Sequence, residues 1–238
     1  MKIKFRLHYN TSWGEKLQVC GSLPELGHWQ AAEAVNLHYY PQGNWEIELE
    51  VPDDTQWFEY KYLIKYEHGG EQWEWGENRR VFLNSSVKSA WEIQDNWRSP
   101  QDKITNYYTS PFLKGFSFFP EPVALPDKRL TGKKPVQRFL VNLPRFSANY
   151  EAVICGGSKS LGNWDEKQAV PLVYRGDTLW EAEVHFDPAD SLPVAYKYGI
   201  RHPEHKNVVE WEAGENRYFY GDLLRSSAKD DGTFRYNN

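Results

Sequence analysis

The feature that most constrains the fold of this chain is an internal duplication. Three blocks of the first half recur in the second half in the same order. They are ELGHW at 25–29 and SLGNW at 160–164, EYKY at 59–62 and AYKY at 195–198, and WEWGENR at 73–79 and WEAGENR at 211–217. Several matched blocks in one order do not arise by chance, so the chain contains two copies of one module.

Short segments with period-two alternation of apolar residues dominate both copies. Residues 3–9 (IKFRLHY) and 45–51 (WEIELEV) each place apolar side chains on one face and mostly charged ones on the other. Clusters of Gly, Pro, Asn and Asp separate such segments, and no apolar stripe of helical period and length occurs. This pattern predicts an all-β fold made of two antiparallel immunoglobulin-like β-sandwich modules in tandem.

The module boundaries follow from the ends of the duplication. We expect module 1 at residues 1–98, a linker at 99–135, module 2 at 136–226, and a connection to a further domain at 227–238. The linker contains the stretch 111–120 (PFLKGFSFFP), which is too apolar to remain solvated. It is therefore predicted to dock on one or both modules.

Charge and hydropathy exclude several classes of partner. The net charge of −5 argues against nucleic acid, and no apolar run approaches membrane-spanning length. The N-terminus interleaves charged and apolar residues, unlike a signal peptide. Cys20 and Cys155 occupy equivalent positions in the two copies, which favours two separate cores over a disulfide. These features predict a cytoplasmic protein that binds neither nucleic acid nor membrane.

The aromatic content indicates a binding surface. The chain has 11 Trp, 15 Tyr and 12 Phe against a single Met, more than small cores can bury. Trp45 and Trp180 open alternating strands and are expected in the core. Tryptophans beside turns are instead candidates for exposed platforms, and these are Trp29, Trp73, Trp164 and Trp211. An exposed indole can stack on the apolar face of a sugar ring.

Polar residues accompany the tryptophans in both copies. Lys61 and Lys197 can donate hydrogen bonds, Glu74 and Glu212 can accept them, and the amides of Asn78 and Asn216 can do both. Two tryptophans with this polar set suit an oligosaccharide, and recurrence of the set favours function over chance. For each Lys alone a solvated strand position remains the alternative, and for each Asn a turn position.

Together, the blocks resemble family 20 carbohydrate-binding modules, the starch-binding domains. The resemblance rests on the pattern Gly-Ser-x-x-x-Leu-Gly-x-Trp, then Tyr-Lys-Tyr, then Trp-Glu-x-x-x-Asn-Arg, and it covers both halves. It implies a first glucan site in each module and a ligand such as starch, glycogen or a maltooligosaccharide. The implied residues are Trp29, Lys61, Trp73, Glu74 and Asn78 in module 1, and Trp164, Lys197, Trp211, Glu212 and Asn216 in module 2.

The same resemblance implies a second site formed by two aromatic residues. In module 1 these are Trp13 and Tyr39, with the adjacent Tyr40 as a competing choice. In module 2, Tyr174 matches Tyr39, while Ser147 stands opposite Trp13. Phe146 or Tyr150 could replace the missing aromatic residue.

A tandem pair with an aromatic-rich linker further resembles the start of 4-α-glucanotransferases of the plant disproportionating-enzyme-2 type. That resemblance implies a C-terminal catalytic domain as partner, which these residues do not include. The alternative is a regulatory or scaffolding protein that targets glucan and binds another protein. Neither a catalytic site nor a cofactor is expected in these residues, and His202-Pro203-Glu204-His205 is interpreted as a surface turn rather than a metal site.

Overall fold

Two compact units make up the part of the chain that the structure describes. The structure is a computed structural model and describes residues 1–83, 90–99, 119–122 and 135–237. Residues 1–83 and 90–99 belong to the first unit, and 119–122 and 135–237 to the second. Most of the predicted docking stretch 111–120 lies outside the described residues; Phe119 and Pro120 lie within them. No helix among the described residues is long and apolar enough to cross a membrane.

Both units are built from short strands and 3₁₀ turns. The strands of the first are β1 (Lys2–His8), β2 (Glu15–Gly21), β3 (Val35–Asn36), β4 (His38–Tyr40), β5 (Asn44–Glu50), β6 (Trp57–Tyr66), β7 (Glu71–Trp73), β8 (Arg79–Phe82) and β9 (Trp91–Asn96). Those of the second are β10 (Gln137–Asn142), β11 (Glu151–Gly156), β12 (Val170–Pro171), β13 (Val173–Gly176), β14 (Leu179–Val184), β15 (Val194–Arg201), β16 (Val208–Trp211), β17 (Arg217–Phe219) and β18 (Ser226–Thr233). The 3₁₀ segments are Pro24–Trp29, Ala31–Glu33, Lys159–Trp164 and Glu166–Gln168.

The strands of each unit form two sheets. In the first unit, one sheet has the order β9-β1-β5-β4 and the other the order β3-β2-β6-β7, with β8 also paired to β6. In the second unit the orders are β13-β14-β10-β18 and β12-β11-β15-β16, with β17 paired to β15. The prediction of an all-β sandwich fold is confirmed.

One pairing in each unit departs from the antiparallel prediction. The first and last strands lie side by side in parallel, as β1 with β9 and β10 with β18. Strands joined by a hairpin must be antiparallel, whereas β1 and β9 come from opposite ends of the module and no hairpin fixes their direction.

Module 2 extends beyond the predicted boundary at residue 226. Residues 226–233 form β18 and pair with β10, and Phe234 is fully buried in the core of module 2. The expected connection at 227–238 therefore belongs to module 2 as far as the structure describes it. The physical reason is that β10 needs this strand to complete its sheet, just as β1 needs β9.

Alternating apolar residues fill the core of each sandwich. Phe5 packs edge-on against Tyr60, with ring centroids 5.2 Å apart, and Phe139 packs in the same way against Tyr196 at 5.0 Å. Trp45 and Trp180 are buried, as predicted. The prediction for the two cysteines is also confirmed, since both are buried free thiols.

A buried polar network crosses each core. In module 1, Arg79 donates to the Glu74 carboxylate at 2.8 Å and to Asp95 at 3.0 Å. The hydroxyls of Tyr60 and Tyr62 both donate to the other oxygen of Asp95, at 2.8 and 2.9 Å. Burial and the neighbouring Asp95 raise the pKa of Tyr62 well above its usual range, so this hydroxyl keeps its proton. The network joins β6, β8 and β9.

We predict that Asp95→Ala strongly destabilises module 1. Arg79 would lose a buried carboxylate and both tyrosines their acceptor, and breaking a buried ion pair costs about 3–5 kcal/mol. Differential scanning calorimetry of the variant should show a transition well below that of the original chain. Asp54→Ala, at an exposed position, is the control. Equal shifts for the two variants would contradict a structural role for the network.

Candidate functional site

Trp29 and Trp164 are presented by a turn with an unusual backbone. Gly27, His28 and Trp29 all have positive φ, at 77°, 46° and 63°. The equivalent turn of module 2 repeats this at 83°, 50° and 63°. A side chain at Gly27 would meet the Glu33 carbonyl oxygen at 2.6 Å. Glycine is therefore required here, and the turn carries an exposed indole at its end.

Trp73 and Trp211 are held by packing instead. Trp73 ends β7 opposite Leu63 and packs on the small cluster of Cys20, Ala34 and Leu63. Trp211 ends β16 opposite Gly199, where an added Cβ would lie only 3.1 Å from the indole. Both rings are half-buried, so one part is fixed by the sheet while the rest faces solvent.

The cysteine thiol brings the two tryptophans of each module to one place. Cys20 belongs to the cluster on which Trp73 packs, and its sulfur is hydrogen-bonded by the backbone of Trp29. Burial raises the pKa of this thiol despite that bond. Cys155 relates to Trp211 and to the backbone of Trp164 in the same way. Each tryptophan pair therefore surrounds one buried thiol.

The predicted lysines lie beside these thiols. Lys61 stands opposite Cys20 in the β2–β6 register, and Lys197 opposite Cys155 in β11–β15. Residues opposite each other on neighbouring strands share a face of the sheet, so each lysine is on the face of its tryptophan pair. The Lys197 ammonium donates to the carbonyl oxygen of Gly214 at 2.7 Å, which ties it to the loop after Trp211.

The predicted asparagines lie at the other edge of the same loop. Asn78 is exposed and donates to the Glu59 carboxylate at 3.4 Å, while Asn216 is half-buried. Each immediately precedes the arginine that is anchored in the core. The backbone of Arg79 or Arg217 thereby fixes where the amide emerges.

Glu74 and Glu212 do not present their carboxylates at this surface. Both side chains are fully buried. The Glu74 carboxylate accepts from Arg79 and from the backbone N–H of Tyr62, while Glu212 accepts from Arg217, Arg235 and the N–H of Tyr198. The expectation that these carboxylates receive sugar hydroxyls does not fit this geometry. They recur in both copies because they hold the loop between the tryptophan and the asparagine.

The second platform expected in module 1 is exposed. Trp13 is 99% exposed on a turn and Tyr39 is 58% exposed on β4. The chain leading to Trp13 is bonded to the β4–β5 hairpin, because Tyr9 donates from its backbone to Gly43 and accepts from the Trp45 indole. Both aromatic residues therefore lie at the same end of the module. The competing Tyr40 is also exposed.

Module 2 does not repeat this platform. Tyr174 is only 7% exposed, and Phe119 from the linker stacks on its ring with centroids 5.1 Å apart and planes at 5°. Phe146 is buried against Trp180, whereas Tyr150 is exposed. Tyr174 is therefore not the open counterpart of Tyr39 that their sequence match predicts, because a residue distant in sequence covers its face.

Several exposed aromatic residues were not singled out by the duplication. They are Trp57 and Trp75 in module 1 and Tyr218 and Tyr220 in module 2. The period-two alternation of β6 could have identified Trp57 as exposed, since it shares a strand face with Glu59 and Lys61. Trp75 corresponds to Ala213 in module 2, so the duplication gives no signal for it.

The predicted turn after His202 is present, and its Glu204 and His205 are exposed. Ligand atoms of His202, Glu204 and His205 come within 4.8 Å of one another. However, Nδ1 of His202 lies 3.2 Å from the backbone N–H of Glu204 and accepts from it. The remaining proton of a neutral ring is then on Nε2, which disfavours metal binding there.

Comparison with known proteins shows the family of the chain. A family model described as "Starch binding domain" matches residues 1–92 and 136–225. The chain belongs to the starch-binding domain family. Each starch-binding domain of this chain contains one copy of the tryptophan pair.

Relatives and solved structures match one or both starch-binding domains. The chain is 28% identical to 4-alpha-glucanotransferase DPE2 of Oryza sativa subsp. japonica, over 82% of this chain and 21% of that protein. It is 35% identical to Glucoamylase-1 of Arthroderma benhamiae, over 40% of this chain and 16% of that protein. The solved family 20 module of the maltotetraose-forming amylase from Pseudomonas saccharophila STB07 is 26% identical with a TM-score of 0.32, over 40% of this chain and 100% of that one. The chain thus spans about a fifth, or less, of the length of these curated relatives.

We predict that Gly27→Ala destabilises module 1 more than Gly70→Ala does. Both glycines have positive φ, but a side chain at Gly70 would meet nothing within 4 Å, whereas at Gly27 it would clash with the Glu33 carbonyl. Both variants place an alanine at positive φ, which costs about 1–2 kcal/mol of stability, and only Gly27→Ala adds the steric clash. Chemical unfolding measures the difference. If the two variants unfold alike, the turn does not depend on this close approach.

Proposed function

We propose that both modules bind α-1,4-linked glucan through their tryptophan pairs. The observation that carries the proposal is the repetition of two tryptophans around one thiol, with a lysine and an asparagine on the same face. Indoles supply apolar surface for the C–H face of a sugar, and the lysine and asparagine supply hydrogen bonds for its edge. The buried Glu74 and Glu212 serve the scaffold in this proposal.

The proposed anchoring role concerns a catalytic domain outside this chain. The match to the rice 4-alpha-glucanotransferase extends through both modules and covers a fifth of that protein. We infer that the tandem pair holds a glucanotransferase domain on starch, glycogen or a maltooligosaccharide, in a cytoplasmic protein. Two weak sites that reach one polymer gain on the order of 10²–10⁴ in avidity. The coding sequence after Asn238 tests this role: a stop codon there would exclude it.

We predict that Trp29→Ala combined with Trp164→Ala strongly reduces retardation by soluble starch in native gels. Each substitution removes a stacking surface and should weaken its own site by about ten- to a hundredfold. Each single variant should remain partly retarded, since one module stays intact. Leu224→Ala, which removes an exposed apolar side chain elsewhere, is the control and should migrate like the original chain. A double variant that is retarded as strongly as the original would refute the assignment.

We further propose that Trp13 and Tyr39 form a second glucan platform in module 1 that Tyr174 does not provide in module 2, and a matched pair of tyrosines tests this difference. Tyr39→Ala should weaken binding to starch and leave the melting temperature nearly unchanged, because this ring is exposed. Tyr174→Ala should cost about 3 kcal/mol of stability without a selective loss of binding, because its ring is buried beneath Phe119. Calorimetry and gel retardation measure both effects. The opposite pattern would show that Tyr174 is the platform.

A further inference from the structure

The outer face of β6 continues beyond the first site of module 1. The side chains of β6 alternate, with Phe58, Tyr60 and Tyr62 in the core and Trp57, Glu59 and Lys61 on the outer face. Successive outer residues on a strand are about 6.6 Å apart. Toward the start of β6, the surface next to Lys61 is therefore formed by Glu59 and then by Trp57.

An aromatic surface lies at that end of the strand. Trp57 pairs with Phe82 on β8, and their ring centroids are 6.5 Å apart. The Arg80 guanidinium lies 5.7 Å from the centroid of the Trp57 ring and is bonded to Glu59 at 2.5 Å. Trp57 remains 51% exposed. This indole is oriented by its neighbours and still offers surface to solvent.

Polar groups connect the aromatic surface to the first site. Asn78, which belongs to the first site, donates to one oxygen of Glu59, and Arg80 donates to the other. The hydrogen bond from Arg80 lowers the pKa of Glu59, which keeps it an acceptor at neutral pH. Between the two aromatic surfaces lies a band of donors and acceptors, as sugar hydroxyls require.

Module 2 has an aromatic surface at the equivalent place. Tyr218 on β17 stands opposite Ala195, in the register in which Arg80 stands opposite Glu59. Tyr218 and Tyr220 are both exposed, with ring centroids 6.2 Å apart. The side chains differ from those of module 1, yet both modules place aromatic rings at the same end of the same sheet.

We propose that Trp57, Arg80 and Phe82 in module 1, and Tyr218 and Tyr220 in module 2, form an additional subsite for α-glucan chains that extend out of the first site. The inference rests on the proposed function. Along β6, Trp57 lies six residues, or about 20 Å, from Leu63, which stands opposite Trp73. A trisaccharide stacked on Trp73 is too short to cover Trp57 as well, so the additional subsite acts only on longer chains.

Isothermal titration calorimetry with maltotriose and with a longer linear maltodextrin tests the subsite. The full chain carrying Trp164→Ala, which weakens the first site of module 2, serves as background. In it, Trp57→Ala should weaken binding of the long chain about three- to tenfold and leave maltotriose unchanged. Trp57→Phe retains a ring and should restore most of the loss. The corresponding experiment for module 2 places Tyr218→Ala and Tyr220→Ala in a Trp29→Ala background.

The outcomes separate this inference from the proposed function. Unchanged binding of both ligands by Trp57→Ala, with loss on Trp29→Ala, would overturn the subsite and leave the glucan function intact. Equal loss for both ligands would also overturn it, since Trp57 would then act through the first site. If the original chain binds neither ligand, the proposed function fails and the subsite with it.

Discussion

The buried arginine of each module is the residue on which the rest of the structure depends. Arg79 joins a carboxylate from the end of β9 to one beside Trp73, and Arg217 makes the corresponding contacts in module 2. Burial alone would lower the pKa of Arg217, but Asp231 and Glu212 outweigh it and raise the pKa, so the charge is retained. A buried charge is tolerated because each of the three guanidinium nitrogens donates a hydrogen bond. The network fixes the loop from which the binding residues emerge.

The two tryptophans of each proposed site are positioned by different physical means. Trp29 is placed by its backbone, in a left-handed turn that L-residues adopt only at a cost. Trp73 is placed by packing against a small apolar cluster that includes Cys20. A site formed in advance loses less conformational entropy on binding, which favours rigid platforms for a flexible ligand such as a glucan chain. The buried thiol acts here as a small apolar residue between the two.

The duplicated scaffold carries unequal surfaces. The core network, the left-handed turn and the tryptophan pair recur almost unchanged. By contrast, the aromatic residues around them differ, since Ser147 stands opposite Trp13 and Tyr174 is covered by Phe119. Residues bound into the polar core are constrained by every partner they touch, whereas exposed rings are constrained only by what they bind. The two modules can therefore differ in ligand preference while keeping one fold.

The sequence by itself determined the duplication, the strand period, the buried Trp45 and Trp180, and the positions of the tryptophan pairs. These depend on local pattern, and the two copies support each other. Only the tertiary structure decided that Glu74 faces inward, that residues 226–234 complete module 2, and that Phe119 covers Tyr174. The period of a strand divides its residues between two faces but does not tell which distant segment covers a face. From sequence alone, a carboxylate in a turn is expected to be exposed. Only the fold shows that a buried arginine binds it.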